Sequence, residues 1–252
     1  MREQTMTKLR ALKLSGMVKG YEEQITMTAT QALSFDDRFG LLVDREENHR
    51  LDRRYRSRLK QARLREPAAT VEDIDFIPGR GLDRGVVMNL ASCAWIRDKQ
   101  NVIITGPAGV GKTYLACALA HKAMQNGLTA RYFRLPRLFH ELAQVRAESR
   151  YMHFLAQLTK TDVIVIDDFA TMSLNGEQRR DFFEVVEDRY GTRSLVMVSQ
   201  VPVDTWFDTI GDSTIADGIL DRIVHRAHRL EVCGESQRKQ RAKPIGAAKG
   251  AA

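Results

Sequence analysis

The stretch Gly106-Pro107-Ala108-Gly109-Val110-Gly111-Lys112-Thr113 fits the pattern G-x-x-x-x-G-K-[ST] at every fixed position. It follows Asn101-Val102-Ile103-Ile104-Thr105, a β-branched run suited to a buried strand, and precedes Tyr114 to Met124, rich in helix formers. Strand, glycine loop and helix in that order are what phosphate binding requires. Glycine lets the backbone turn tightly, so that successive N–H groups point at one phosphate, and the helix adds its positive end. In such a loop Lys112 meets the β- and γ-phosphates of a nucleotide, and the Thr113 hydroxyl ligates magnesium.

A second motif supports the first. In Asp162-Val163-Ile164-Val165-Ile166-Asp167-Asp168, four β-branched residues make a central strand with two carboxylates at its carboxyl end. Open parallel sheets bind ligands at that end of their strands. Asp167 is placed to hold magnesium, directly or through water, and Asp168 to orient or deprotonate an attacking water. The two motifs together predict an α/β nucleotide-binding fold.

Composition narrows the class. The 252 residues suffice for one α/β domain and a smaller appendage. Lysine and arginine number 39 against 32 acids, a net charge of +7, which favours an anionic polymer as partner. Cys93, Cys117 and Cys233 have no paired spacing and read as reduced thiols of a cytoplasmic protein. The N-terminus lacks the apolar core of a signal peptide, and the run Val86 to Ile96 is too short to span a bilayer, so no membrane role is expected.

The chain divides into a helical N-terminal DNA- or partner-binding domain at 1–66, a linker at 67–80, a nucleotide-binding domain at 81–233 and a basic, disordered tail at 234–252. The first helix carries Met6, Leu9, Leu12, Leu14, Met17 and Val18, with Gly16 and Gly20 weakening its end. Ser34 can cap a long second helix that opens on Phe35-Asp36-Asp37. Between Arg45 and Arg65 that segment holds nine basic residues against three acids. Arg53, Arg54, Arg56, Arg58, Lys60 and Arg63 are therefore candidates for contact with a DNA backbone, although charged helix faces are more often merely solvated. In the linker, Phe76 to Gly79 is a candidate adenine-side or interdomain contact.

Further on, Leu82 to Arg97 reads as one helix, Ala130 to Arg134 as a strand, and Leu135 to Leu158 as one helical segment. The last carries Arg137, Arg146 and Arg150, which either track nucleic acid or are ordinary charges partnered by Glu141 and Glu148. Asn175 to Tyr190 forms a helix, Ser194 to Gln200 a strand, and Ile215 to Ala227 a helix that packs through Ile219, Leu220, Ile223 and Val224 and leaves Arg222 and Arg226 for other work. Arg229 to Val232 makes a fifth strand.

Gly106–Thr113, Asp167-Asp168, Ser199-Gln200-Val201-Pro202 and Ile219-Leu220-Asp221-Arg222 occur in the order found in initiator-type AAA+ ATPases. The chain resembles the IstB/DnaC group, and within it the IstB-like transposition helper proteins, over roughly residues 1–232. The resemblance implies a P-loop core with a five-stranded, mainly parallel sheet behind a small helical domain, using ATP and Mg2+. It implies that Ser199 or Gln200 is the sensor at the end of the fourth strand. Arg222, or Arg226 in its place, resembles the arginine finger that reaches a neighbouring subunit's nucleotide, which requires a homo-oligomer with shared ATP sites. Asp168 departs from the wider class, where Glu is common, so slow turnover is expected. With 20 residues after Val232, no room is expected for a separate helical lid or a second sensor.

By this resemblance the chain is an ATP-dependent regulator that assembles on double-stranded DNA and assists a transposase. The alternative is a helicase loader of the DnaC type, and a third reading is a nucleotide-binding scaffold without useful ATPase activity. The basic segment Arg45–Arg65 favours the duplex-binding reading over the loader.

Overall fold

Five short strands pair into one sheet in a computed structural model, which describes residues 2–27, 30 and 32–237. They are β1 (Asn101–Thr105), β2 (Ala130–Arg134), β3 (Val163–Phe169), β4 (Ser194–Ser199) and β5 (Ala227–Glu231), in the order β2-β3-β4-β1-β5. Every pairing is parallel, so the expected mainly parallel sheet is parallel throughout. Parallel strands need helical crossovers and are covered on both faces. One face carries Ile103, Phe133, Ile164, Ile166, Leu195 and Met197 into a core shared with Leu138, Leu142, Phe182, Trp206 and Ile219. Their strand neighbours Val102, Ile104, Val165 and Val196, which alternation turns to the other face, are fully buried as well.

The crossovers begin with α6 (Lys112–Gln125), which contacts β1 to β4. Then come α7 (Leu135–Ala147), α8 (Tyr151–Lys160), α9 (Gly176–Arg189), α10 (Trp206–Ile210) and α11 (Ser213–Val224). Local sequence starts two of these helices. Asn175 accepts from Gln178 N at 2.9 Å while the Gln178 side chain accepts from Asn175 N at 3.0 Å, a capping box for α9. Asp212 caps α11 by accepting from Ile215 N at 3.0 Å. The segment expected as one helix from Leu135 to Leu158 is two, because Ser149 takes a left-handed φ of 56°. Cys93, at φ 61°, likewise divides the expected Leu82–Arg97 helix into α4 (Arg84–Ala91) and α5 (Ala94–Arg97).

The chain falls into two compact units, one from Met1 to Arg58 and one from Leu59 onward. The first is made of α1 (Arg2–Ala11), α2 (Ser15–Thr26) and most of α3 (Phe35–Ala62), whose first turn is capped by Ser34 accepting from Asp37 N at 3.1 Å. Lys13, at φ 58°, ends α1, so Gly16 and Gly20 do not fray a first helix but lie inside α2. A Cβ on Gly16 would stand 2.5 Å from Arg45 O, so glycine is what lets α2 approach α3 here. At this crossing the buried Glu46 carboxylate accepts from Gly16 N at 2.7 Å and Met17 N at 3.2 Å, satisfying the free N–H groups of α2. Arg50 and these two amides hold the Glu46 carboxyl below the usual carboxylate range, against the opposing effect of burial.

In the second unit, Ala62 at the end of α3 and Leu64 just past it are buried. All three cysteines are free, and burial pushes the Cys117 thiol up to about 11. Among the described residues no helix is long and apolar enough to cross a membrane. Residues 234–237 are described; the basic remainder of the expected tail, with Arg238, Lys239, Arg241, Lys243 and Lys249, lies outside the described residues.

Candidate nucleotide-binding site

The strand order sets β3, β4 and β1 side by side, so the segments leaving their carboxyl ends converge. From β1 leaves Gly106–Thr113. Gly106, Gly109 and Gly111 have φ of 139°, 84° and 103°, all in the region open to glycine. Gly111 is also the cap from which α6 starts at Lys112. Lys112 is 6% exposed, and its Nζ donates to Gly106 O and Pro107 O at 2.6 Å each, holding the ammonium at the loop.

From β3 come the two acids. Asp167, 2% exposed, accepts at Oδ2 from Thr113 Oγ1 at 2.8 Å and Tyr132 OH at 2.7 Å, and at Oδ1 from Asp168 N at 2.8 Å. The Tyr132 phenol is pushed far above its usual range by burial and by the Asp167 carboxylate beside it, so it stays a donor. Asp168 sits in a register irregularity between Ile166 and Phe169 with φ 58°, a break that re-aims its side chain. Its Oδ2 accepts from Arg134 Nε at 2.6 Å. From β4 come Ser199 and Gln200. The buried Ser199 hydroxyl donates to Phe169 O at 2.9 Å and accepts from Val201 N at 3.2 Å, which ties β4 to β3, whereas Gln200 is exposed at the cleft.

These residues enclose a cleft of about 320 Å³, near the lower bound for small-molecule sites. Three arginines on its wall have no motif to announce them. Arg134 is the last residue of β2. Arg80 donates to Asp75 O at 2.6 Å and to Val110 O, within the loop, at 2.9 Å. Arg65 lies just past the end of α3. Only the folded chain brings residues 65, 80 and 134 to one cleft; in sequence they are scattered charges.

The phosphate loop itself rests on the chain after β5. Val232 N donates to Thr105 O at 2.8 Å, Cys233 N to Arg80 O at 2.8 Å, and Gln237 N to Gly109 O at 2.9 Å. A Cβ on Gly106 would stand 1.9 Å from Val232 O. Gly106→Ala is therefore expected to cost about 2–4 kcal/mol of stability through clash and backbone strain, and to abolish nucleotide binding. Gly127→Ala is the control: its φ is 85° but nothing lies near its Cβ, so only strain of about 1–2 kcal/mol is expected. Urea unfolding of both variants checks the difference.

The donor set suits magnesium held with a nucleotide. Among the described residues no group of three or more His, Cys, Asp or Glu side chains could hold a metal. A hydroxyl and a carboxylate in contact, Thr113 and Asp167, match an ion that takes its remaining ligands from phosphates and water.

Arg222 lies at the other end of the sheet. Asn101 opens β1, and its Nδ2 donates to Arg222 O and Ile223 O at 3.1 and 3.0 Å, so the whole of β1, about 13 Å at ~3.3 Å per residue, separates this point from the loop of the same chain. Asp217 and Asp221 of the same helix form no salt bridge with the Arg222 side chain. The guanidinium pairs with Glu187, donates to Gly218 O at 2.8 Å, and lies 5.2 Å over the Phe183 ring. Arg226 lines a small cavity beside it.

Of the candidate DNA residues, Arg56 pairs with Asp52 at 2.9 Å and Arg63 with Glu141 at 3.7 Å. Arg53, Arg54, Arg58 and Lys60 hold no salt bridge among the described residues. In the second unit Arg146 is engaged by Glu177 and Asp181 rather than by Glu141 or Glu148, and Arg150 pairs with Glu148 at 3.0 Å.

A family model described as IstB-like ATP binding protein matches residues 7–244. The chain is 44% identical over 235 residues to the insertion-sequence ATP-binding protein y4pL of Sinorhizobium fredii, across 93% of this chain and 96% of the relative. It is 43% identical over 214 residues to the ATP-binding protein of insertion sequence IS1162 of Pseudomonas fluorescens, across 85% of this chain and 92% of that one. The crystal structure of the DnaC helicase loader shares the fold, with a TM-score of 0.54 at 16% identity over 66% of this chain and 97% of that chain.

Proposed function

The chain belongs to the family of IstB-like ATP-binding proteins, and from that premise we propose that it is a slow ATPase which assembles with ATP on double-stranded DNA as a homo-oligomer and assists the transposase of an insertion sequence. The observation that carries the chemistry is the Thr113–Asp167 contact at 2.8 Å beside Lys112 at the phosphate loop. Loop amides and Lys112 would hold the β- and γ-phosphates, while Thr113 and Asp167 would hold Mg2+, which neutralises phosphate charge as it builds. Asp168 accepts the proton of the attacking water or orients it, and must share its carboxylate with Arg134 to do so. Gln200 is better placed than Ser199 for the sensor role, since the Ser199 hydroxyl is already engaged by Phe169 and Val201. Arg222 would complete a neighbour's site, because its own loop is a strand's length away.

The names of the relatives place those proteins in insertion sequences, which supports DNA and a transposase as partners here. The test is particle mass and DNA binding measured with ATP, with ADP and without nucleotide. Growth in mass and duplex binding with ATP alone is the expected result. Binding confined to single strands would move the reading to a helicase loader.

The basic segment gives a separate expectation. Each phosphate that an arginine meets releases counterions, so affinity should fall steeply with salt. Replacing Arg53, Arg54, Arg56 and Arg58 with Gln should weaken binding to all duplex sequences alike. It should also flatten the slope of log affinity against log salt by about one unit for each phosphate no longer neutralised. Arg56, already paired with Asp52, should contribute least. An unchanged slope in binding titrations would move the DNA surface elsewhere, with Arg137 next in line.

A further inference from the structure

A carbonyl that is held fixes the direction of the N–H bonded behind it. In a planar trans peptide the C=O of one residue and the N–H of the next point in opposite directions. Pinning Gly109 O therefore aims Val110 N–H, and pinning Val110 O aims Gly111 N–H. Both carbonyls are pinned from outside the loop. Gly109 O accepts from Gln237 N at 2.9 Å, and Val110 O accepts from Arg80 Nη2 at 2.9 Å. We propose that Arg80 and the backbone N–H of Gln237 are positioning groups, which keep Val110 N–H and Gly111 N–H aimed where a nucleotide phosphate binds. This rests on the reading of Gly106–Thr113 as the phosphate site.

Further observations fit. The two holders are joined, since Cys233 N donates to Arg80 O at 2.8 Å. The Arg80 guanidinium is itself fixed by a second bond, from Nη1 to Asp75 O at 2.6 Å. The loop has glycine where each holder comes close: a Cβ on Gly109 would stand 2.2 Å from Ser236 Oγ, and one on Gly111 would stand 3.0 Å from Arg80 Nη2. Neither N–H is spent on α6, whose first bond runs from Leu115 N to Gly111 O at 3.0 Å. Arg80 also lies on the wall of the cleft, and direct contact with a nucleotide phosphate is its rival role.

The experiment has two readouts on the full chain. Nitrogen-15 relaxation gives the order of the Val110 and Gly111 amides without nucleotide, and calorimetric titration gives ATP affinity. Gln237→Pro removes the N–H, Gln237→Ala keeps it and removes only the side chain, and Arg80→Met removes the donor to Val110 O. In Gln237→Pro and Arg80→Met the order parameters of the two amides should fall from about 0.85 toward roughly 0.6. A loop that is competent only part of the time binds more weakly by that fraction, so ATP affinity should fall about three- to tenfold in both. Gln237→Pro should bind ATP more weakly than Gln237→Ala by about the same factor. Weakened affinity in Arg80→Met with loop order unaltered would overturn the proposal in favour of direct phosphate contact. Equal effects of Gln237→Pro and Gln237→Ala would overturn it in favour of a side-chain contact. A lowered urea midpoint with loop order unaltered would overturn it in favour of a packing role. Absence of ATP binding by the unaltered protein would overturn the phosphate-site reading and this proposal together, whereas normal ATP binding with equally ordered amides in every variant overturns this proposal alone.

Discussion

Lys112→Ala is expected to lower ATP affinity by roughly 10²–10³-fold, and ATP-dependent assembly should fail as a result. Lys112 is only 6% exposed and its ammonium is held to Gly106 O and Pro107 O, so it is pre-organised where the phosphates would lie. Charge-assisted hydrogen bonds are worth about 1.5–3 kcal/mol each, and removing two at the weaker end of that range, one to each phosphate, gives about 3–4 kcal/mol. The fold should survive, because α6 starts from the Gly111 cap and packs through Leu115, Leu119 and Met124, none of which needs the lysine. Calorimetric titration with ATP measures the affinity, and the urea midpoint measures the fold. Unaltered ATP affinity in this variant would remove the phosphate-loop assignment.

The second large effect concerns Arg222. Arginine fingers contribute about 10³–10⁵-fold to phosphoryl transfer, and lysine does not reproduce their planar fork. Arg222→Ala should therefore bind ATP as a monomer yet hydrolyse it at least about a hundredfold more slowly. The side chain also pairs with Glu187 and stacks on Phe183, so unfolding of the variant must be measured alongside. Mixing Arg222→Ala with Lys112→Ala protein separates the two roles: one subunit supplies an intact loop and the other an intact finger, so hydrolysis should partly return. A purely structural arginine gives no such rescue. If the mixture co-assembles without activity, Arg226 is the next residue to test.

The parallel sheet is readable in the sequence because β1 and β3 carry β-branched runs, Val102 to Thr105 and Val163 to Ile166, and β1 and β2 fall on the residues expected, Asn101–Thr105 and Ala130–Arg134. The helix breaks are not readable. Lys13, Cys93 and Ser149 take left-handed φ without the glycine or proline that would mark such a turn, so the apolar period runs through each break as though one helix continued. Gly16 and Gly20 mislead in the opposite sense. As helix breakers they suggest an end, but the partner that requires them, α3 with Arg45 and Glu46, is far away in sequence. At the site, the loop and acids are local motifs and legible as such, whereas the arrival of Tyr132 at Asp167, and of Arg65, Arg80 and Arg134 at the cleft, depends on how the chain folds back on itself. Ser199 and Gln200 show the same limit: adjacent in sequence, they part at the end of β4, one turned into the protein and one toward the cleft.

Synthesis on the ribosome meets a difficulty in β5. Among the described residues that strand pairs only with β1, Asn101 lying opposite Ala227, and the loop after β1 is seated on Val232 and Gln237. A ribosome delivers residues 101–113 long before those partners emerge. Until then β1 and the strands beside it offer apolar, unpaired edges, the kind of surface on which nascent chains aggregate or recruit chaperones. Such long-range parallel pairing also folds slowly. Competence to bind ATP should thus arrive late and abruptly: stalled nascent chains that present residues 1–225 should retain no ATP, while those that present residues through 237 should.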